Sequence, residues 1–266
     1  MKTYLGELTF NTNSRGCDIL DTVKGCAAGA LHGGKGCYAD CYAKNIADRY
    51  GFDFLKVKLR KLTQDEDQIM MLGFKDTDHA NQIIRQIKNS TMPFVRIGEM
   101  GDPSYAWEHT LNVCEEISRC GKPIVIITKH WKEIPHALLP RVKALDLCIN
   151  TSVSALDEPE EVEYRLAQFH RLKGVCHSVL RIVSCDFNTE HTEGLDRHLI
   201  QEELFKLRPH IDTVFRPNPG NPFLTRGVIR AKRVKFLRAE VLSSVRNPET
   251  YFGMCQTCPD MCGVSL

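Results

Sequence analysis

No stretch of this chain approaches the ~20 consecutive apolar residues that a membrane span requires, and no apolar segment follows the opening Met1-Lys2-Thr3-Tyr4. A membrane protein is not expected; a cytoplasmic one is. Charge of one sign is also scarce. The formal balance is +2, which by itself names no partner. The chain has no internal repeat, no low-complexity tract, and no motif specific for a nucleobase or a peptide.

Cysteine, by contrast, is abundant. Twelve among 266 residues, without a secretion signal, argue against a disulfide scaffold and for reduced thiols, some of them binding metal. They fall into three groups. Cys26, Cys37 and Cys41 sit in a glycine-rich loop, GCAAGALHGGKGCYADCYAK, that runs into a helix-like segment. Cys255, Cys258 and Cys262 close the chain with gaps of two and three, a compact chelate spacing shaped by Pro259 and Gly263. Cys114, Cys120, Cys148, Cys176 and Cys185 are scattered at helix or strand positions and read as small buried hydrophobes. The twelfth, Cys17, competes with Cys26 as first ligand of the loop, because the gaps of ten and three in the loop are unusual. Soft thiolates gathered in this way suit an iron–sulfur cluster or zinc.

A chain of this length buries a substantial core as one large α/β domain or two small ones. Short apolar runs alternate with amphipathic segments, the pattern of a parallel sheet with crossover helices. Expected strands are 4–12, 94–98, 123–128, 145–152, 178–184 and 213–216. Expected helices are 39–50, 105–119, 136–142, 159–172 and 198–207, with Leu111, Val113, Cys114 and Ile117 as a buried stripe. Residues 51–92 fit this alternation less well and read as an inserted helical segment, with helices near 62–72 and 78–89.

In parallel α/β folds, ligands bind beyond the carboxyl ends of the strands. Polar residues collect there: Gly98-Glu99 and Asp102 after the second expected strand, Thr128-Lys129-His130-Trp131 after the third, Asn150 to Ser154 at the fourth. Asp102 reads equally as a cap on the helix that follows. Arg181 alternates with Leu180 and Ile182, and so faces either a carboxylate in the interior or solvent. His130 and Trp131 are candidates for a substrate side, as are Arg216 and Asn218.

The ending Gly36-Cys37-Tyr38-Ala39-Asp40-Cys41-Tyr42-Ala43, with Gly98-Glu99, resembles the radical S-adenosylmethionine (radical SAM) superfamily. It is most similar to the branch of spore photoproduct lyase and small phage-encoded relatives. The family spaces its three cysteines by three and two, so the loop departs by an apparent insertion at 30–36. The resemblance implies a partial (β/α)6 barrel over residues 1–220, followed by an extension, 221–266. It implies an open-sited [4Fe-4S] cluster on Cys26, Cys37 and Cys41 that binds S-adenosylmethionine, cleaved after an electron arrives from a donor such as flavodoxin or ferredoxin. Cofactor contacts are then expected at Tyr38, Gly98, Glu99, Asp102, Thr128, Lys129, Asn150, Ser152 and Arg181.

The tail cysteines would hold an auxiliary iron–sulfur cluster or zinc, with Cys17, substrate or solvent as fourth ligand, or with the tail lending a thiol to the first site. Between barrel and tail, residues 226–246 carry seven Arg or Lys against the single acid Glu240, with Val234, Leu237, Val241 and Val245 at helical spacing. That basic helix either meets nucleic acid or is simply solvated. The alternative function is therefore a non-catalytic zinc or iron–sulfur protein that binds nucleic acid.

Overall fold

The structure is a computed structural model and describes residues 10–12, 16–28, 38, 41–60, 76–183, 185, 187–207, 209–211, 223–224 and 261–264. Nine strands appear among them: β1 (Phe10–Thr12), β2 (Asp18–Leu20), β3 (Val23–Lys24), β4 (Lys58–Leu59), β5 (Val95–Ile97), β6 (Ile124–Thr128), β7 (Cys148–Val153), β8 (His177–Ile182) and β9 (His210–Ile211). The helices are α1 (Tyr42–Arg49), α2 (Asp76–Asn89), α3 (Trp107–Ser118), α4 (Leu139–Ala144), α5 (Pro159–Leu172) and α6 (Thr192–Lys206).

Seven strands form one sheet in the order β1-β2-β5-β6-β7-β8-β9. In this sheet only β1 runs antiparallel; β2, β5, β6, β7, β8 and β9 pair in parallel and in chain order, while β3 and β4 form a separate antiparallel pair. Strand order never reverses, so the sheet is singly wound. Right-handed crossovers then place α2 to α6 on the same side. The side chains agree. Leu20, Val95, Ile97, Ile124, Ile126 and Ile149 pack with Ile83 and Ile87 of α2, Leu111 and Ile117 of α3, and Val142 of α4. Val153, Leu180 and Ile182 continue this face against Val162 and Phe169 of α5 and Leu204 of α6.

The opposite face carries the alternate residues. Ile19, Val125, Cys148 and Val179 form a separate cluster with Cys17 and Phe94. Register puts Ile19, Arg96, Val125 and Cys148 in one row across four strands. A parallel sheet must be covered on both faces. Here the covering segment includes Cys262 and Val264, which pack against this second cluster.

Several elements form where local chemistry dictates. β6 is the run Ile-Val-Ile-Ile-Thr, β-branched throughout and almost wholly buried. Pro159 opens the first turn of α5, and Glu158 and Glu161 make a reciprocal capping box, so the helix spans the expected range. The expected stripe on α3 is buried at all four positions.

Other expectations shift. The antiparallel β1 is not the strand that leads into the cysteine loop; that strand is β2, which was not expected. Three residues long, it is too short to stand out as an apolar run. The helix expected from His198 starts at Thr192, because Thr-Glu-Gly has the composition of a turn. The helix expected near 78–89 is α2, and its Ile83 and Ile87 belong to the main core between β2 and β5. The expected strand 213–216, the helices near 62–72 and at 226–246, Arg216 and Asn218, and the expected metal ligands Cys255 and Cys258 lie outside the described residues. Among the described residues, no helix is long and apolar enough to cross a membrane.

Candidate active site

The site is built where the loops after β2 and β5 meet. At the carboxyl end of β2, Asp21 Oδ1 accepts hydrogen bonds from Glu99 N (2.6 Å) and Met100 N (2.9 Å), pinning the turn after β5. Burial pushes the Asp21 carboxyl above its ordinary range, against the lowering pull of those two N–H groups. Gly25 N donates to Met100 O at 2.9 Å, and Gly25 bridges Gly101 in parallel. At Gly101 a Cβ would stand 2.4 Å from Val23 O, so the two loops approach this closely only with glycine there.

This contact delivers Cys26. Its backbone N–H donates to Phe54 O at 2.8 Å. Tyr105, in the turn before α3, accepts from Ala27 N at 3.1 Å, and its hydroxyl stands 3.8 Å from Cys26 Sγ. Either group can donate in that contact.

Cys41 is the N-cap residue of α1. Cys26, Cys41 and Met100 pack together against Tyr38, Ala43, Ala47 and Phe54. Tyr38 is buried, its ring 6.1 Å from that of Phe54, and its carbonyl accepts from Cys41 N at 3.2 Å. Burial pushes the Cys26 thiol up to about 11. The Cys41 thiol is raised too, by burial, although backbone N–H groups at the start of α1 pull it down. Soft sulfur donors suit a thiophilic metal, which displaces the thiol proton on binding. Two soft donors in an apolar pocket therefore fit a thiophilic metal centre. Cys37, directly before Tyr38, lies outside the described residues, and among the described residues no three His, Cys, Asp or Glu side chains form a group able to hold a metal ion. Cys17 stands elsewhere, 2% exposed before the amino end of β2, in the second face's cluster.

Most polar rim residues are engaged with one another. Asp102 Oδ1 accepts from Ser104 N (2.9 Å) and Thr128 Oγ1 (2.6 Å), and Oδ2 from Lys129 N (2.6 Å). Asp102 thus caps the following turn and ties it to β6, as the capping alternative expected. Lys129 Nζ lies 2.6 and 2.8 Å from the two oxygens of Asp157, which also pairs with Arg165 at 2.5 Å. Arg165 Nε donates to Lys129 O at 2.7 Å. Burial works against the Asp157 charge, but Arg165 and Lys129 outweigh it and hold the carboxyl below its ordinary range. Asp102, Thr128 and Lys129 therefore act as a lock across the ends of β5, β6 and β7, not as free ligand groups.

Glu99 is paired within its own turn. It follows Gly98, a bend at φ +100°, and its carboxylate is 3.9 Å from Arg96. Asn150, Ser152 and Arg181 lie on the second face, with Cys148 and Val179, and Arg181 Nε donates to Asn150 Oδ1 at 2.9 Å. Arg181 points away from Leu180 and Ile182, as the interior reading expected. Asn150 Nδ2, however, donates to the Cys262 carbonyl at 3.0 Å, so its amide holds the tail.

His130 and Trp131 do not line a substrate side. His130 is fully buried and kept neutral, pushed by burial down to about 4, with Nε2 3.0 Å from Thr151 Oγ1. The Trp131 ring stacks on Arg165 at 4.6 Å. Beside the lock, a cleft of about 750 Å³ opens between Tyr105, Trp107, His109, Lys132 and Leu138. Sequence reasoning missed Asp21, Tyr105, Asp157 and Arg165. Asp21 alone had a signal, a carboxylate directly before the cysteine loop.

Comparison with known proteins adds no family: no family model, curated protein or solved structure matches the chain.

Proposed function

We propose that this chain is a radical SAM enzyme on a partial (β/α)6 barrel, with Cys26, Cys37 and Cys41 as ligands of a [4Fe-4S] cluster. One observation carries the reading: Cys26 and Cys41, fifteen positions apart in sequence, pack in one pocket beyond the carboxyl end of β2, against the turn that carries Glu99. The singly wound sheet with helices on one side supports a partial barrel over a doubly wound fold.

When bound, the cluster and S-adenosylmethionine supply a 5′-deoxyadenosyl radical for hydrogen abstraction. The residues contribute position and shielding. Tyr105 and Ala27 orient the Cys26 end of the loop. Tyr38, Phe54 and Met100 keep water from the thiols. Glu99 offers a carboxylate to the cofactor's ammonium, and Asp21 fixes the backbone on which Glu99 rides. An electron donor of the flavodoxin or ferredoxin kind is the partner this chemistry requires.

The test is anaerobic incubation with S-adenosylmethionine and dithionite. A brown protein absorbing near ~400 nm that releases 5′-deoxyadenosine supports the reading. A colourless, zinc-filled protein releasing none refutes it. The nucleic-acid alternative rests on 226–246, and nothing in the described residues favours it.

A further inference from the structure

Apart from the main sheet, β3 and β4 pair as a two-stranded antiparallel ribbon. It leads directly into the cysteine pocket: Cys26 follows Lys24 by two residues, which span at most about 7 Å of chain. The ribbon is tied to the body of the protein. Arg60 N donates to Thr22 O at 2.8 Å, and His109 Nε2 lies 2.8 Å from Arg60 O. At Gly25 a Cβ would stand 2.5 Å from Lys56 O, so the two chains run in close contact up to the pocket.

Register sets Lys24 directly opposite Lys58. Like charges so placed destabilise an antiparallel pair. Burial disfavours the Lys24 charge, as do Arg60 and Lys58, and the pull of Asp21 is weaker than any of them. The Phe52 ring, its centre 3.4 Å from Lys24 Nζ, supplies the negative face that steadies it. Among the described residues no carboxylate forms an ion pair with Lys24, Lys56 or Lys58. Exposed cations elsewhere find acids, as Arg141 does in Glu115 and Arg171 in Glu133, both at 2.7 Å. Lys56 and Lys58 are exposed and alternate along the chain with the exposed Leu55 and Leu59. Such a mixture of apolar and cationic side chains, under a repulsion that an anion from outside relieves, is suited to a partner of opposite charge.

We propose that the β3–β4 ribbon, through Lys24, Lys56 and Lys58, is the docking surface for an acidic protein, the one-electron donor that the proposed chemistry requires. The proposal rests on the radical SAM reading. Charge complementarity selects the occupant, and position selects its task, because the ribbon's own chain runs on into Cys26. The partner is oxidised by one electron, which the cluster accepts and uses to cleave the sulfonium into methionine and the 5′-deoxyadenosyl radical. Nucleic acid fits this surface less well. Proteins that hold single strands offer bare aromatic faces to the bases, and the Phe52 face is covered by Lys24.

The test uses the full-length protein, reconstituted anaerobically, with a flavodoxin of acidic surface as the probe. Calorimetry at low salt should show binding that Lys24→Gln/Lys58→Gln weakens at least about tenfold. On the wild-type chain alone, affinity should fall steeply with added salt. The variant should resist urea at least as well as the wild type, since it loses a repulsion. Dithionite needs no docking surface, so both proteins should release 5′-deoxyadenosine with it, and only the wild type should do so efficiently with reduced flavodoxin. Equal flavodoxin affinity for wild type and variant, with dithionite cleavage intact, overturns this proposal alone. So does an affinity indifferent to salt, or a double substitution that weakens binding of single-stranded RNA and not of flavodoxin. No cleavage by the wild type with dithionite instead refutes the radical SAM reading, and the donor's role with it.

Discussion

The cysteine loop beyond β2 and the described end of the tail against β7 set half-buried thiols in different surroundings. In the loop, Cys26 and Cys41 are half-buried among Tyr38, Phe54 and Met100, beside polar strand ends and an open cleft. In the tail, Cys262 is half-buried as well, but it packs on the second face of the sheet, beside the almost sealed Cys17 and Cys148. A catalytic metal site keeps a position open, and a structural one fills every position with protein. Parallel strands rise about 3.3 Å per residue, so the ends of a strand as long as β7 are separated by roughly 17 Å.

The largest effect expected is at the loop. Cys41→Ala should abolish 5′-deoxyadenosine formation while the metal expected at the tail, counted by elemental analysis, stays. Loss of both metals would merge the two regions into one site.

Next is the lock between them. Asp157→Ala leaves Lys129 and Arg165 without their shared carboxylate in a buried setting, at a cost of about 3–5 kcal/mol, measurable by urea unfolding. Because the folded-state pKa of Asp157 is depressed, its contribution is full above the unfolded carboxylate value of about 3.9 and fades as pH falls through the lower folded value. Asp157→Asn should flatten that acid limb. An unchanged limb would show that the pair contributes nothing to stability.

Glu99→Ala should weaken S-adenosylmethionine binding about tenfold, near 1.4 kcal/mol, with iron content unchanged, since the carboxylate meets the ammonium and not the metal. Calorimetry giving equal affinity would remove Glu99 from the pocket. Smallest is Gly263→Ala, where φ is +84° and the new methyl meets Val179. A strain of about 1–2 kcal/mol should loosen the tail and raise the exchange rate of the metal expected there, leaving cofactor cleavage intact.

These two regions were unequally legible. β6 and α5 declare themselves through a β-branched run and a capping box, signals that are local in sequence. The pairing of Cys26 with Cys41 was also readable, because both lie on one loop. The role of β2 was not, since three residues carry no periodicity. Asn150 and Cys148 were visible as strand residues, but what they face depends on a tail more than a hundred positions away. The capping of Asp102 shows the remaining ambiguity: a carboxylate after a strand is equally a ligand and a cap until its donors are in place.

The most direct measurement is a matched pair, Cys26→Ala and Cys17→Ala, each reconstituted anaerobically and assayed with S-adenosylmethionine and dithionite for 5′-deoxyadenosine. The geometry predicts no product from Cys26→Ala and persistent cleavage by Cys17→Ala, whose side chain lies at the other end of β2. Cleavage lost in Cys17→Ala and kept in Cys26→Ala would contradict the division of the thiols between the two ends of the sheet.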